Sequence, residues 1–236
     1  MLYLPQGKPV RQPVNPARIN LPEAMGKLRG SKFTGYLRFD AEQGAGVVLF
    51  QSGKLISTFF ISSNKGSKQI AYDAIARIFE ISIQGHARLN IYQLSADLVA
   101  GIHVLLQGRY LHQGEDLTQF DVAGMLEQIT SEMLSVCVRV YAGEKVALIF
   151  FDSGYALGFF HDGATELQPG ADLEASVAAL PGARLDLVEI QSPDQIVLAD
   201  LMGSADLGPI WQRARRELLE ERRHAEEGAV VAQKSG

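Results

Sequence analysis

The sequence predicts an α+β protein of two tandem repeats, each an antiparallel meander packed with helices in the order helix, three strands, helix, strand, helix. Three observations lead there. Apolar stretches flank Ser52-Gly53 and Ser153-Gly154, and a two-residue turn with glycine joins strands that must run antiparallel. Apolar residues recur at helical spacing on either side of these meanders. The chain also matches itself when shifted by 101 residues, so that Gly35 to Phe60 aligns without a gap on Val136 to His161. Internal self-similarity on this scale marks one supersecondary unit used twice.

Six of those 26 pairs are identical: Arg38/Arg139, Ala41/Ala142, Phe50/Phe151, Ser52/Ser153, Gly53/Gly154 and Phe59/Phe160. Most other pairs within the strands exchange one apolar residue for another. The same shift places Asn20 on Asp121, each a helix N-cap. Leu21, Ala24, Met25 and Leu28 follow the first, and Val122, Met125, Leu126 and Ile129 the second. Beyond the meander, Ile70, Ala74, Ile75 and Ile78 lie on one face of a helix over 67 to 80 capped by Ser67, matched by a helix over 171 to 180. The shift then falls to 96, where Ala87 to Leu94 matches Ala183 to Ile190 as a strand. The last helices run over 95 to 106, capped by Ser95, and over 193 to 202, capped by Ser192 with Pro193 in the first turn.

These elements divide the chain into an extended, proline-containing arm over 1 to 19, a first repeat over 20 to 118 and a second over 121 to 207. A charged helix over 208 to 227 and a disordered tail over 228 to 236 complete it. The helix has a thin apolar side, Ile210, Trp211, Ala214 and Leu218. Opposite charges stand one turn apart elsewhere, as in Arg213/Glu217 and Arg216/Glu220, so it reads as a solvated helix or as a partner-binding helix anchored by Trp211 with Arg215 and Leu218.

Charge is segregated along the chain. Residues 1 to 118 carry 13 Lys and Arg against 8 Asp and Glu, residues 119 to 207 carry 3 against 14, and residues 208 to 236 carry 6 against 5. A basic repeat and an acidic repeat can dock on surfaces of opposite sign, including head-to-tail on a second copy of the chain. The helix over 208 to 227, with five Arg and five Glu, has no net charge, which argues against a nucleic-acid partner. The longest purely apolar run, Val146 to Phe151, is far short of a membrane helix. The start MLYLPQGKPV has no signal-peptide pattern. With a single cysteine, Cys137, no internal disulfide forms, and the protein is expected to be cytoplasmic.

Chemistry-bearing candidates are few. His86, His103, His112, His161 and His224 form no metal-ligand spacing, and no cofactor is expected. Ser62 to Lys68 (SSNKGSK) precedes a helix, so Lys65, Gly66, Ser67 and Lys68 can cradle an anion, the simpler reading being a capped loop. Gly44-Ala45-Gly46 reads as a hairpin turn. His161, Asp162 and Glu166 could suggest acid/base chemistry, but they align with Phe60, Ile61 and Lys65 of the first repeat, so nothing equivalent supports it and they read as exposed turn residues. Gly35, Gly53 and Gly154 are structural turn positions, and Cys137 reads as a small buried apolar residue in mid-strand.

The segment GYLRFDAEQGAGVVLFQSGKLISTFF resembles the PATAN domain, a prokaryotic signalling module otherwise catalogued as a domain of unknown function. Gly35, Leu37, Phe39, the loop 40 to 46, the strand 47 to 50, Gly53 and Leu55-Ile56 carry the resemblance, which covers most of residues 20 to 105. The second copy is degenerate, with Val136 at the first glycine. Thr58 and Phe159 stand where the family often has a small residue. The resemblance implies a non-catalytic scaffold or adaptor in bacterial signalling, motility or small-GTPase regulation, with a response regulator or small GTPase as partner. The alternative function is a small-ligand sensor or an unrecognised enzyme with its site in the groove between the repeats.

Overall fold

The two copies reproduce one another bond by bond around their first hairpins. In the computed structural model, which describes residues 4, 8–64, 66–85, 87–161, 164, 166–170, 176–189 and 200–234, helix α1 spans Leu21–Gly30 and helix α4 spans Val122–Ser131. The side chain of Asn20 accepts from the Glu23 N–H at 3.4 Å and that of Asp121 from the Gly124 N–H at 2.9 Å, so each helix has its expected cap. Strands β2 (Gly35–Ala41), β3 (Gly44–Gln51) and β4 (Lys54–Ser62) are answered by β8 (Val136–Ala142), β9 (Lys145–Asp152) and β10 (Tyr155–Phe160). Each start is displaced by the same 101 residues.

Both hairpin turns take positive φ at both central residues, 50° and 83° at Ser52-Gly53 and 50° and 82° at Ser153-Gly154. This turn twists with its strands. The Gly53 N–H donates to the Phe33 carbonyl at 2.8 Å and the Gly154 N–H to the Leu134 carbonyl at 2.9 Å, tying each turn to the loop that leaves the preceding helix. A Cβ on Gly53 would lie 2.4 Å from the Arg29 carbonyl oxygen, and one on Gly154 3.0 Å from that of Thr130. Gly53→Ala is expected to cost about 1–3 kcal/mol, more than Gly154→Ala, as read by paired denaturant melts; equal effects would contradict the difference in clearance. Gly35, in contrast, opens β2 at φ 145° as a strand entry.

The repeat starts earlier than the sequence analysis places it. Strand β1 (Lys8–Val14) is not a free arm: the six-stranded sheet runs β1-β6-β2-β3-β4-β5, with β5 at Lys68–Ile70 and β6 at Arg88–Gln93. The five-stranded sheet runs β10-β9-β8-β11-β7, with β7 at Arg109–Asp116 and β11 at Arg184–Glu189. Thus β1 flanks β6 as β7 flanks β11, and Lys8 and Arg109 are again 101 apart. Residues 109–116, placed in the first repeat by sequence, open the second. They are held antiparallel to β11 by the ladder from Arg184↔Asp116 to Glu189↔Arg109 and by the Arg109–Glu189 ion pair at 2.8 Å.

Three helices also differ from expectation. Helix α2 is Ala71–Gln84, beginning after β5, because Lys68 to Ile70 pair with Ile61 to Phe59 of β4 and Ser67 caps nothing. It ends at Gly85, left-handed at φ 88°. The helix expected over 171 to 180 is a single 3₁₀ turn at Val177–Ala179 among the described residues. Helix α6 runs over Gly208–Lys234, so the expected disordered tail is helical to Lys234. Helix α3 (Ala96–Gln107) starts as predicted, with the Leu98 N–H donating to Ser95 Oγ at 3.3 Å. The start of the helix expected over 193 to 202, with Ser192 and Pro193, lies outside the described residues; α5 (Leu201–Ser204), capped by Asp200, follows.

Gly44-Ala45-Gly46 is not a turn either. It forms the first residues of β3, since Glu42-Gln43 makes the turn and the interior requires glycines here. A Cβ on Gly44 would meet the Ile61 carbonyl at 2.2 Å, and one on Gly46 would lie 2.5 Å from Ile78 of α2.

By contacts, the chain divides into two compact units. One comprises residues 11–33, 37–91 and 199–236. Its core joins Leu21 and Met25 of α1, Leu37, Phe39, Val48, Phe50, Leu55 and Phe60 of the sheet, Ile75, Ile78 and Phe79 of α2, and Leu207, Trp211 and Ala214. The segment that the sequence reads as a solvated or partner-binding helix therefore closes this core. Arg29 pairs with Asp200 at 3.1 Å and donates to the Met202 carbonyl at 3.2 Å, while Tyr72 Oη donates to the Leu201 carbonyl at 2.9 Å.

The other unit comprises residues 1–10, 34–36 and 92–198. One sheet face packs Met125 and Ile129 of α4 and Val177 on Val136, Val138, Phe151, Leu185 and Leu187. On the other face, Phe150 meets α3, whose Gly101 sits so close to the ring that a Cβ would lie 2.4 Å from it. The segments that close on the first sheet, α5 and α6, thus come after the strands of the second repeat, while α3 of the first repeat meets Phe150 of the second sheet. Folding preserves the charge segregation: the unit with 92–198 holds 5 Lys and Arg against 15 Asp and Glu, and its counterpart 17 against 12.

Candidate binding groove

The unit containing Trp211 carries a groove of about 400 Å³. One wall is a short turn. Asn15 caps the 3₁₀ segment Pro16–Arg18, its Oδ1 accepting from the Ala17 N–H at 2.9 Å and its Nδ2 donating to the Gly85 carbonyl at 3.3 Å. Buried Pro16 and this double tether hold Ala17, Arg18, Ile19 and Asn20 beside Ile83 at the end of α2. The opposite wall is α6, which presents Trp211, Arg215, Leu218 and Leu219. Trp211 is fixed edge-on against Phe79, ring centroids 5.1 Å apart at 84°, and only 7% of it is exposed.

The groove is lined by apolar side chains and by two arginines. Ile19, Ile83, Leu218 and Trp211 supply apolar surface, and Leu219 is 63% exposed beside it. Arg18 and Arg215 also line it, and no acidic side chain among the described residues does. Neither guanidinium has an ion pair with a described residue. Such a site favours a ligand with apolar bulk and negative charge.

Three residues singled out by sequence, Trp211, Arg215 and Leu218, meet here. Trp211 serves as wall and core, leaving Arg215 and Leu218 to face a ligand. Arg18, Ile19, Ile83 and Leu219 were not singled out, because only the tertiary packing of the turn and α2 against α6 brings them together.

The other candidates lie elsewhere. Lys65 falls outside the described residues, and Gly66 takes φ 59°. Lys68 belongs to β5 with its ammonium 6.0 Å from the Phe59 ring centroid. The premise of an anion cradle on a helix N-terminus is lost, because three strand residues separate the loop from α2. His103 is buried with Nδ1 unpaired among the described residues, and burial pushes its pKa down. His112 packs edge-on against Phe120 at 5.0 Å, His224 stands 3.8 Å from Glu227, and His86 and Asp162 fall outside the described residues. Cys137 is fully buried, with its thiol pKa pushed well up by desolvation. Among the described residues, no three His, Cys, Asp or Glu side chains group as metal ligands, and no helix is long and apolar enough to cross a membrane.

The identical pair Arg38/Arg139 has diverged in its partners. Arg38 Nε donates to Asp40 on its own strand at 2.9 Å. Arg139 reaches across to Asp186 of β11, its Nε donating to Oδ2 at 2.7 Å, and Nη2 donates to the same oxygen. Asp186 Oδ1 accepts from the Gly114 N–H of β7 at 2.7 Å. This buried pair spans three adjacent strands.

With the fold in place, comparison with known families corrects the resemblance. Residues 2–106 match the family described as "Uncharacterized protein conserved in archaea (DUF2226)". The match covers the first repeat through α3 and points to archaea, which overturns the bacterial PATAN-like reading and with it the signalling-adaptor role inherited from it. The hairpin glycines and apolar strands that carried the resemblance are what any such meander requires, so they could not tell the two families apart. No curated protein and no solved structure matches the chain.

Proposed function

We propose that the chain is a non-catalytic protein-interaction module whose groove between the Pro16–Arg18 turn and α6 grips an acidic, apolar segment of a partner protein. The observation that carries this reading is the pairing of two guanidinium groups, Arg18 and Arg215, with the apolar surface of Ile19, Ile83, Leu218 and Leu219 in one concave site. Apolar contact supplies affinity and charge selects the partner.

A fluorescent synthetic helix with one leucine face and one glutamate face is the direct probe. It is expected to bind the full chain, and Arg18→Glu with Arg215→Glu to weaken binding about tenfold, the effect of reversing two exposed charges. Raising the salt should weaken it as well. A lysine-faced helix that binds as tightly, or a double variant that binds normally, would refute the assignment.

A further inference from the structure

Helix α6 continues well past the groove. Trp211 and Ala214 enter the core and Arg215, Leu218 and Leu219 line the groove, yet the helix runs on without a break to Lys234. At 1.5 Å per residue its 27 residues span about 40 Å. Its packing is on α2 and α1, and beyond Leu218 the side chains of Leu219, Glu220, Glu221, Arg223, His224 and Glu227 are all exposed. Glu227 stands 3.8 Å from both Arg223 and His224 of its own helix.

The later part of this helix has the chemistry that the groove selects. Residues 226 to 232 read Glu-Glu-Gly-Ala-Val-Val-Ala, two carboxylates and then an apolar run, to set against two guanidinium groups and the apolar surface of Ile19, Ile83 and Leu218. Its own chain's groove is out of reach. Glu226 comes eleven residues after Arg215 on one continuous helix, about 16 Å further along the axis. A glycine and two valines also make this stretch a poor helix in water, and packing against another surface is what holds such a helix.

We infer that the groove receives the end of α6 from a second copy of this chain, the two helices lying antiparallel about a two-fold axis between Glu220 and Glu221. This rests on the groove reading above and names its occupant. In that register Arg215 stands opposite Glu226, Trp211 opposite Val230, and Leu219 opposite Arg222, whose aliphatic stem covers it. A helix turns about 100° per residue, which directs Glu220 and Glu221 away from this face, so no carboxylates meet at the axis. Arg18, which also lines the groove, adds a second cation for the incoming carboxylates. Because the contact is isologous, each pairing occurs twice.

Sedimentation velocity on the full chain over a concentration series tests this. The chain is expected to dimerise, and more weakly as salt is raised. Glu226→Lys and Arg215→Glu should each weaken the dimer about tenfold, since each sets like charges together twice. The doubly substituted chain, in which the exchanged charges again meet their opposites, should dimerise as the wild type does. The synthetic leucine and glutamate helix should compete with self-association and should bind the Glu226→Lys chain, whose groove is intact. A chain that stays monomeric while that helix binds overturns this inference and leaves the groove reading standing, whereas one that neither dimerises nor binds the helix removes both. A dimer indifferent to Glu226→Lys, or one that the charge exchange does not restore, forms elsewhere on the chain and also overturns it.

Discussion

Asp186→Ala is expected to lower the free energy of unfolding by about 3–5 kcal/mol, the effect of leaving a buried guanidinium without its carboxylate. The Arg139 side chain is 9% exposed and that of Asp186 is fully buried, so water cannot replace the lost partner. The Gly114 N–H loses its acceptor in the same substitution. Because β7, β11 and β8 all meet at this carboxylate, the loss should appear as faster amide exchange on all three strands. Replacing both partners, Arg139→Met with Asp186→Leu, should recover most of the stability, since paired removal leaves no orphaned charge. A single variant that melts with the wild type would show that Arg139 is solvated by a route the structure does not contain.

Trp211→Ala is the second large effect, expected at about 3–5 kcal/mol for a buried tryptophan truncated to a methyl. It removes the edge-on contact with Phe79 and opens the core where Leu207 and Ala214 also enter. Trp211→Phe should lose less. Cutting the chain after Asp206 should do more harm than either, whereas a solvated helix could be removed at no cost to the fold. Circular dichroism melts distinguish the two cases; a truncated chain as stable as the full one would mean that α6 does not close this core.

The hairpins were legible because their chemistry is local. Ser52-Gly53 and Ser153-Gly154 demand one turn type, and the shift of 101 residues located both copies of the meander. The opening strand of each repeat was missed. Pro9 and Pro13 made Lys8–Val14 look like a linker, although the pairs Lys8/Arg109, Val10/Leu111 and Gln12/Gln113 continue the same shift. The start of α2 was displaced because Ser67 is a good cap in isolation, and only pairing with β4 makes Lys68 to Ile70 a strand. Half of the groove could be read from one helix, since Trp211, Arg215 and Leu218 recur at helical spacing. Arg18, Ile19 and Ile83 lie roughly 130 or more residues away in sequence, and no local pattern announces that they share a site.

The core completed by Leu207 and Trp211 has a consequence for biosynthesis. The ribosome releases the sheet of the first repeat early, but α6, which completes its core, is made only after residues 92–198. Residues 92–198 have by then all been translated, so the unit encoded second is free to fold first. Its predecessor must wait with Phe79 lacking its Trp211 partner, and that interval is when a nascent chain of this protein is most open to chaperones and to aggregation.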